Sequence, residues 1–323
     1  MFDIRSAGLA LAGALFLSTL PARADRLQED FSANPSARGW KVFGDTNLFV
    51  WDATNQDLRV TWDSSQPDSY FYHPLGNILT RADDFSLEFD LDLTDQQVTG
   101  TFQVAVGLLR FQEATNTAFS RPLADTPDLF EFDYFPDGGF GPSLDATLAD
   151  DTISATDSAD FYFAYDNLPL VDGVSYHVKL IHVAGEPTMS GEVLTNGQVY
   201  AALTNVFSGP ITDFRLDTVA ISSFSAAGDT NGDSVLAHGT VDNVMVTLPP
   251  PPVQDLVVVL SNSLPQLEFL GRSNWLYTPQ RSTDQQSWTN LSPAQSGASG
   301  PWVLPDPSPP TGRAFYRVRA DRP

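Results

Sequence analysis

Phe85-Ser86-Leu87-Glu88-Phe89-Asp90-Leu91-Asp92-Leu93 carries an apolar side chain at every odd position and a polar one at every even position. In an extended chain successive side chains point to opposite faces, so this stretch reads as a strand with one face in a core and one in water. A helix would scatter the same residues around its circumference. The period recurs on both sides. Phe102, Val104, Val106 and Leu108 alternate within Thr101–Leu108, Leu58, Val60 and Trp62 within Leu58–Asp63, and Val174, Tyr176, Val178 and Leu180 form a further row. Asn196-Gly197 stands between Glu192–Thr195 and Gln198–Ala202, the signature of a type I′ hairpin. With Phe214–Phe224 and Thr240–Leu248, roughly a dozen short strands separated by Asp, Asn, Gly and Pro turns predict an antiparallel, all-β sandwich.

The ends of this pattern divide the chain. Residues 1–24 read as a secretory signal, with Arg5, an apolar run from Ala7 to Leu20, and Ala22-Arg23-Ala24 at the cleavage point. The expected location is therefore secreted or cell-surface. No later segment approaches the ~20 apolar residues of a membrane helix, and the strand-length run Val253–Leu260 is interrupted by Gln254 and Asp255. Pro249–Pro252 cannot join a central strand and reads as a stiff linker over 249–253, between a sandwich at 25–248 and a small β module at 254–323. Candidate strands of that module are Asp255–Leu260, Pro265–Leu270, Leu276–Arg281 and Ala314–Arg319, with loops at Ser292–Gly300 and Pro305–Gly312.

Charge changes at the same boundary. Residues 25–252 hold 34 acidic and 9 basic side chains, a formal charge of −25, whereas residues 253–323 hold 5 and 6, a charge of +1. A field of the first sign repels nucleic acid and anionic membranes and suits solubility or a divalent cation. The chain has no cysteine, so its core must hold it without disulfides, and thiol chemistry is excluded.

Several segments of residues 27–248 resemble the laminin-G-like, concanavalin-A-like jelly-roll domains of secreted bacterial proteins. They are Glu29-Asp30-Phe31 followed by Gly39-Trp40, Leu129-Phe130-Glu131-Phe132-Asp133-Tyr134-Phe135-Pro136-Asp137, Tyr176–Leu180 with Asn196–Val199, Phe214–Asp217, and Gly239–Val244. The resemblance implies two curved antiparallel sheets, a scaffold often used to bind glycans. It does not fix function, because lectins, hydrolases and adhesive modules share it. Tyr277–Asp284, Trp288 and Phe315–Val318 are similar to a small β module at the C-termini of exported proteins from the Verrucomicrobia.

Three constellations carry chemistry. Glu131 and Asp133, two residues apart on a strand, share a face, with Phe130, Phe132 and Tyr134 on the other. The segment is similar to the Glu-x-Asp-x-x-Glu strand of laminarinase-type glycoside hydrolases, where the resemblance implies a nucleophile, a tuning Asp and an acid, with carboxyls ~5–5.5 Å apart. Here Pro136 holds the third place and Asp137 comes one residue late. The plainer reading, which weighs more, is a pair of solvated or cation-binding carboxylates. Next, Asp229, Asn231 and Asp233 alternate like the opening of a calcium loop, with Asp242 expected to reach back, so a structural Ca²⁺ is the one cofactor considered. Ser234 and Thr240 depart from that loop, and a hairpin turn explains the same composition. Finally, Trp40, Trp51, Trp62, Tyr70, Tyr72, Phe161, Tyr162 and Tyr165 form two aromatic clusters. Trp62 reads as core, and Trp51, Tyr70 and Tyr72 as surface platforms for a sugar. His73, His177, His182 and His238 are too scattered for a metal triad.

These features predict a non-catalytic, exported protein that recognises a polysaccharide or cell-surface glycan through Trp51, Tyr70, Tyr72, Glu131 and Asp133. Two alternatives stay open: a glycoside hydrolase or lyase using Glu131 and Asp133, with Asp137, and a structural component of the envelope or matrix.

Overall fold

The structure, a computed structural model, describes residues 25–116, 128–137, 139, 141–150, 161–208, 211, 213–226, 233–262 and 264–322. The expected signal segment lies outside these residues, as do Asp229 and Asn231. In chain order the first part contains β1 (Asp25–Glu29), β2 (Lys41–Phe43), β3 (Phe49–Asp52), β4 (Asp57–Asp63), β5 (Ser69–Leu79), β6 (Phe85–Thr99), β7 (Val104–Leu109), the single helical turn α1 (Phe111–Ala114), β8 (Leu129–Phe135), β9 (Ser143–Ala149), β10 (Phe161–Asp166), β11 (Ser175–His182), β12 (Met189–Thr195), β13 (Gln198–Leu203), β14 (Asn205–Ser208), β15 (Leu216–Ser223) and β16 (Ser234–Leu248).

These strands build two antiparallel sheets of eight strands each. The first runs β13-β12-β11-β6-β16-β4-β3, with β1 also on β16, and the second runs β14-β10-β9-β8-β7-β15-β5-β2. The chain passes from sheet to sheet repeatedly, and β15 and β16, late in the chain, insert between early strands. That is a jelly-roll β-sandwich, as the alternation predicts. Its driving force is visible along β6, where Phe85, Leu87, Phe89, Leu91 and Leu93 are at most 3% exposed while Ser86, Glu88, Asp90 and Asp92 turn outward. Across the gap, Phe85 meets the edge of Phe130 at 4.9 Å and Phe89 meets Phe132 at 5.8 Å between centroids. Each such fully buried side chain contributes about 1.5–3 kcal/mol of transfer free energy. The Asn196-Gly197 turn has φ of 51° and 73° and joins Thr195 to Gln198, the predicted hairpin.

Past Pro249–Pro252 the chain forms β17 (Val253–Ser261), β18 (Leu264–Gly271), β19 (Leu276–Ser282), β20 (Thr289–Asn290), β21 (Gln295–Ser296), β22 (Gly300–Pro305) and β23 (Phe315–Asp321). Among the described residues they share no strand pairing with the sandwich: one sheet is β17-β18-β22, the other is centred on β19. A separate small core gathers Leu267, Phe269, Trp275, Tyr277 and Leu304. The two parts meet at Asp83, in the loop between β5 and β6. Its buried carboxylate accepts from Arg272 at 2.8 Å, from Arg322, and from Thr80 N at 3.0 Å. Among the described residues no helix is long and apolar enough to cross a membrane.

Candidate functional site

The outer face of the second sheet gathers most of the chemistry singled out above. In an antiparallel ladder directly opposed residues share a face, so the pairings define continuous rows across seven strands. One row reads Lys41, Tyr72, Ala220, Gly107, Glu131, Thr147, Phe163. The next reads Phe43, Tyr70, Ser222, Ala105, Asp133, Asp145, Tyr165. Phe43, Tyr70 and Tyr72 thus stand toward one edge, and Glu131, Asp133 and Asp145 toward the other, with Phe163 and Tyr165 beyond them. Between them the side chains shrink to Ala220 and Gly107 in one row and to Ser222 and Ala105 in the other. At ~4.8 Å per strand, about 15 Å of sheet separates the Tyr72 backbone from that of Glu131.

The aromatic wall is tied together by α1. The helical turn follows β7 and lays Phe111 on Tyr72, with centroids 4.1 Å apart and planes 27° from parallel. Phe43 meets the edge of Phe111 at 6.0 Å, and Tyr70 Oη donates to the Ala114 carbonyl at 2.9 Å. Phe43 is 37% exposed, Tyr72 and Phe111 are half-buried, and Tyr70 is buried. Tyr70 is therefore not the surface platform expected of it; its ring closes the base of the wall.

The carboxylate side is more enclosed than expected. Glu131 and Asp133 do share the face turned away from the core, but both are buried, not solvated. Thr147 Oγ1 donates to Asp133 Oδ2 at 2.6 Å, and Ser143 Oγ donates to Asp145 in the same row. Gly107 allows this approach: a Cβ there would stand 2.2 Å from Glu131 Cβ. Asp137 does not join them. It is exposed beyond the end of β8 and accepts the Gly139 N–H at 3.0 Å, closing its own turn. The three-carboxylate arrangement of the hydrolase reading is not assembled, because Pro136 ends the strand before a third acid can lie on its face.

Trp51 belongs elsewhere. It lies in β3 of the first sheet, half-buried against the core, and its indole N–H donates to Phe31 O at 2.9 Å. It is no free platform. The expected calcium set does not converge either. Asp229 and Asn231 lie outside the described residues, while Asp233 precedes β16 and Asp242 sits nine positions further along it. At ~3.3 Å per residue that is about 30 Å, too far for one ion. Asp242 instead faces Asp90, and Asn243 Nδ2 donates to both, at 3.2 and 2.8 Å. Burial first, then the nearby charges of Asp90, Asp57 and Asp30, raise the pKa of Asp242 above its ordinary value, while the Asn243 N–H opposes the rise. No group of three or more His, Cys, Asp or Glu among the described residues is arranged to hold a metal ion.

No family model matches the chain, and no curated protein sequence does. Among solved structures it is similar to the legume lectin-like domain from Entamoeba histolytica, at 11% identity and a TM-score of 0.44, covering 69% of this chain and 96% of that one. It is similar to the metal-free carbohydrate recognition domain of Emp46p, at 15% identity and 0.39, covering 66% and 91%. It is also similar to the alginate lyase Aly36B, at 11% identity and 0.37, covering 69% and 96%. A carbohydrate esterase from the Shiga toxin-encoding bacteriophage phi24B matches at 14% identity and 0.40, covering 70% of this chain and all of that one. The expectation of a non-catalytic protein is withdrawn on this finding, since a lyase and an esterase stand among the matched structures beside the lectin-like domains.

Proposed function

We propose that this chain is an exported carbohydrate-binding protein that engages a glycan on the outer face of its second sheet. The observation that carries this reading is the aromatic wall on that face, where Phe43, Tyr72 and Phe111 pack together and stay partly exposed. Sugar rings present flat apolar faces that stack on aromatic rings, and this wall supplies such rings.

A glycan array followed by calorimetric titration of the hits tests the proposal, run with calcium and with a chelator, and with product analysis on every ligand found. Tyr72→Ala and Phe111→Ala are each expected to weaken binding about tenfold, or ~1.4 kcal/mol. Trp51→Phe, on the other sheet, is expected to leave it unchanged. A blank array, or hits insensitive to both wall substitutions, would sink the proposal.

A further inference from the structure

The apolar run Val253–Leu260 forms β17, and β17 is an edge strand: among the described residues its only strand partner is β18. It is exposed on both faces. Leu256 is 37% exposed, Val257 50%, Val258 48% and Leu260 76%. Proteins normally blunt such an edge with a lysine, a proline or a very short strand, because unpaired N–H and C=O groups invite another strand. Here residues 256–260 contain no charge and no proline, and the nearest charged side chain is Asp255, at the bulge where pairing with β18 shifts register.

The run reads Leu256-Val257-Val258-Val259-Leu260, the same in both directions. An antiparallel pair related by a two-fold axis opposes residues symmetrically about its centre. With the axis at Val258, Val258 meets its own copy, Val257 meets Val259, and Leu256 meets Leu260. The flanks also fit, since Asp255 opposes Ser261 and Gln254 opposes Asn262, so no like charges face each other. Charge points to the same place: the sandwich at −25 repels its copy, whereas residues 253–323 at +1 do not. We propose that β17 pairs with β17 of a second copy of this chain, centred on Val258. One strand from each side is less than a standard interface, so the dimer is reversible and concentration-dependent, and added salt strengthens it by screening the two sandwiches.

The chain has no cysteine, which makes a single introduced thiol a clean probe. Opposed residues in an antiparallel pair lie within ~5.5 Å between Cα atoms, inside the range a disulfide spans. Under mild oxidation Val258→Cys is expected to form a covalent dimer, and Leu256→Cys is not. An equimolar mixture of Leu256→Cys and Leu260→Cys chains is expected to form the mixed dimer. Sedimentation velocity of the unmodified chain should show a dimer growing with concentration and salt, and Val258→Lys should abolish it with an unchanged far-ultraviolet spectrum. A chain that stays monomeric to its solubility limit overturns the proposal and leaves the edge to a strand from another protein. A dimer in which Leu256→Cys cross-links to itself and Val258→Cys does not overturns it as well.

Discussion

A Cβ built on Gly107 would stand 2.2 Å from Glu131 Cβ and 2.8 Å from the Phe130 carbonyl, both on the neighbouring strand. Neither atom belongs to a flexible side-chain end, so Gly107→Ala must push β7 and β8 apart. The expected cost is about 1–3 kcal/mol, read as a lower urea midpoint. An unchanged midpoint would show that the two strands do not approach this closely. Nothing in the sequence marks this glycine, which sits inside an apolar run. Glu131 and Asp133 were legible as a same-face pair because side chains alternate at a fixed period. Their burial was not legible, since alternation says which face turns from the core and is silent on what else covers that face. Tyr70 and Trp51 follow the same logic: each has an apolar body and a polar tip, and only the positions of the Ala114 and Phe31 carbonyls show that both tips are already satisfied.

Strands that pack one face on the core and leave the other wet were readable; those that break this rule were not. β6 and β11 alternate cleanly and appear where expected, β6 running on to Thr99. β5 was hidden, because its eleven residues include Pro74 and Gly76, which disguise a single strand whose pairing with β15 shifts register at that point. β22, with Pro301 near its start and Pro305 at its end, falls between the two expected loops and was assigned no strand. The loop between β5 and β6 carries a role that periodicity cannot signal, the seating of the C-terminal part through Asp83. Its carboxylate is fully buried, as is nearly all of the Arg322 side chain that meets it, and Arg272 is four-fifths buried. Removing one partner of a buried pair strands the other charges, so Asp83→Ala is expected to cost about 3 kcal/mol. Scanning calorimetry should then resolve a separate, earlier transition for residues 253–322, with faster proteolysis near Pro249–Pro252. One cooperative transition at the original temperature would show that Asp83 does not hold the two parts together.

At the scale of the whole molecule, a formal charge of −23 works against compactness at neutral pH, and several carboxylates make the opposition local. Burial raises the pKa of Glu29, Asp57, Asp68, Asp92 and Asp242, with neighbouring acids adding to the rise at all of them except Asp68. Asp57 and Asp92 each keep one buried oxygen without a hydrogen-bond partner. A carboxylate whose folded pKa exceeds its unfolded value binds protons on folding. Its contribution to stability is complete below the ordinary carboxylate range and is lost as pH rises through the raised value. Asp30, Asp52, Asp284 and Asp306 act oppositely, with hydrogen bonds to Asp284 from Ser287, Gln286 and Ser282 lowering it to about 2. Their contribution is present above the ordinary range and disappears only as pH falls below it. Of these carboxylates, then, only the raised ones titrate between neutrality and the ordinary carboxylate range. The urea midpoint is expected to rise from pH 7 to about pH 5 and to fall again below about pH 4. A midpoint lower at pH 5 than at pH 7 would refute this. Salt separates the two causes: at pH 7 it screens repulsion between exposed charges and raises the midpoint, but it does not reach buried oxygens, so the gain from pH 7 to pH 5 persists in concentrated salt.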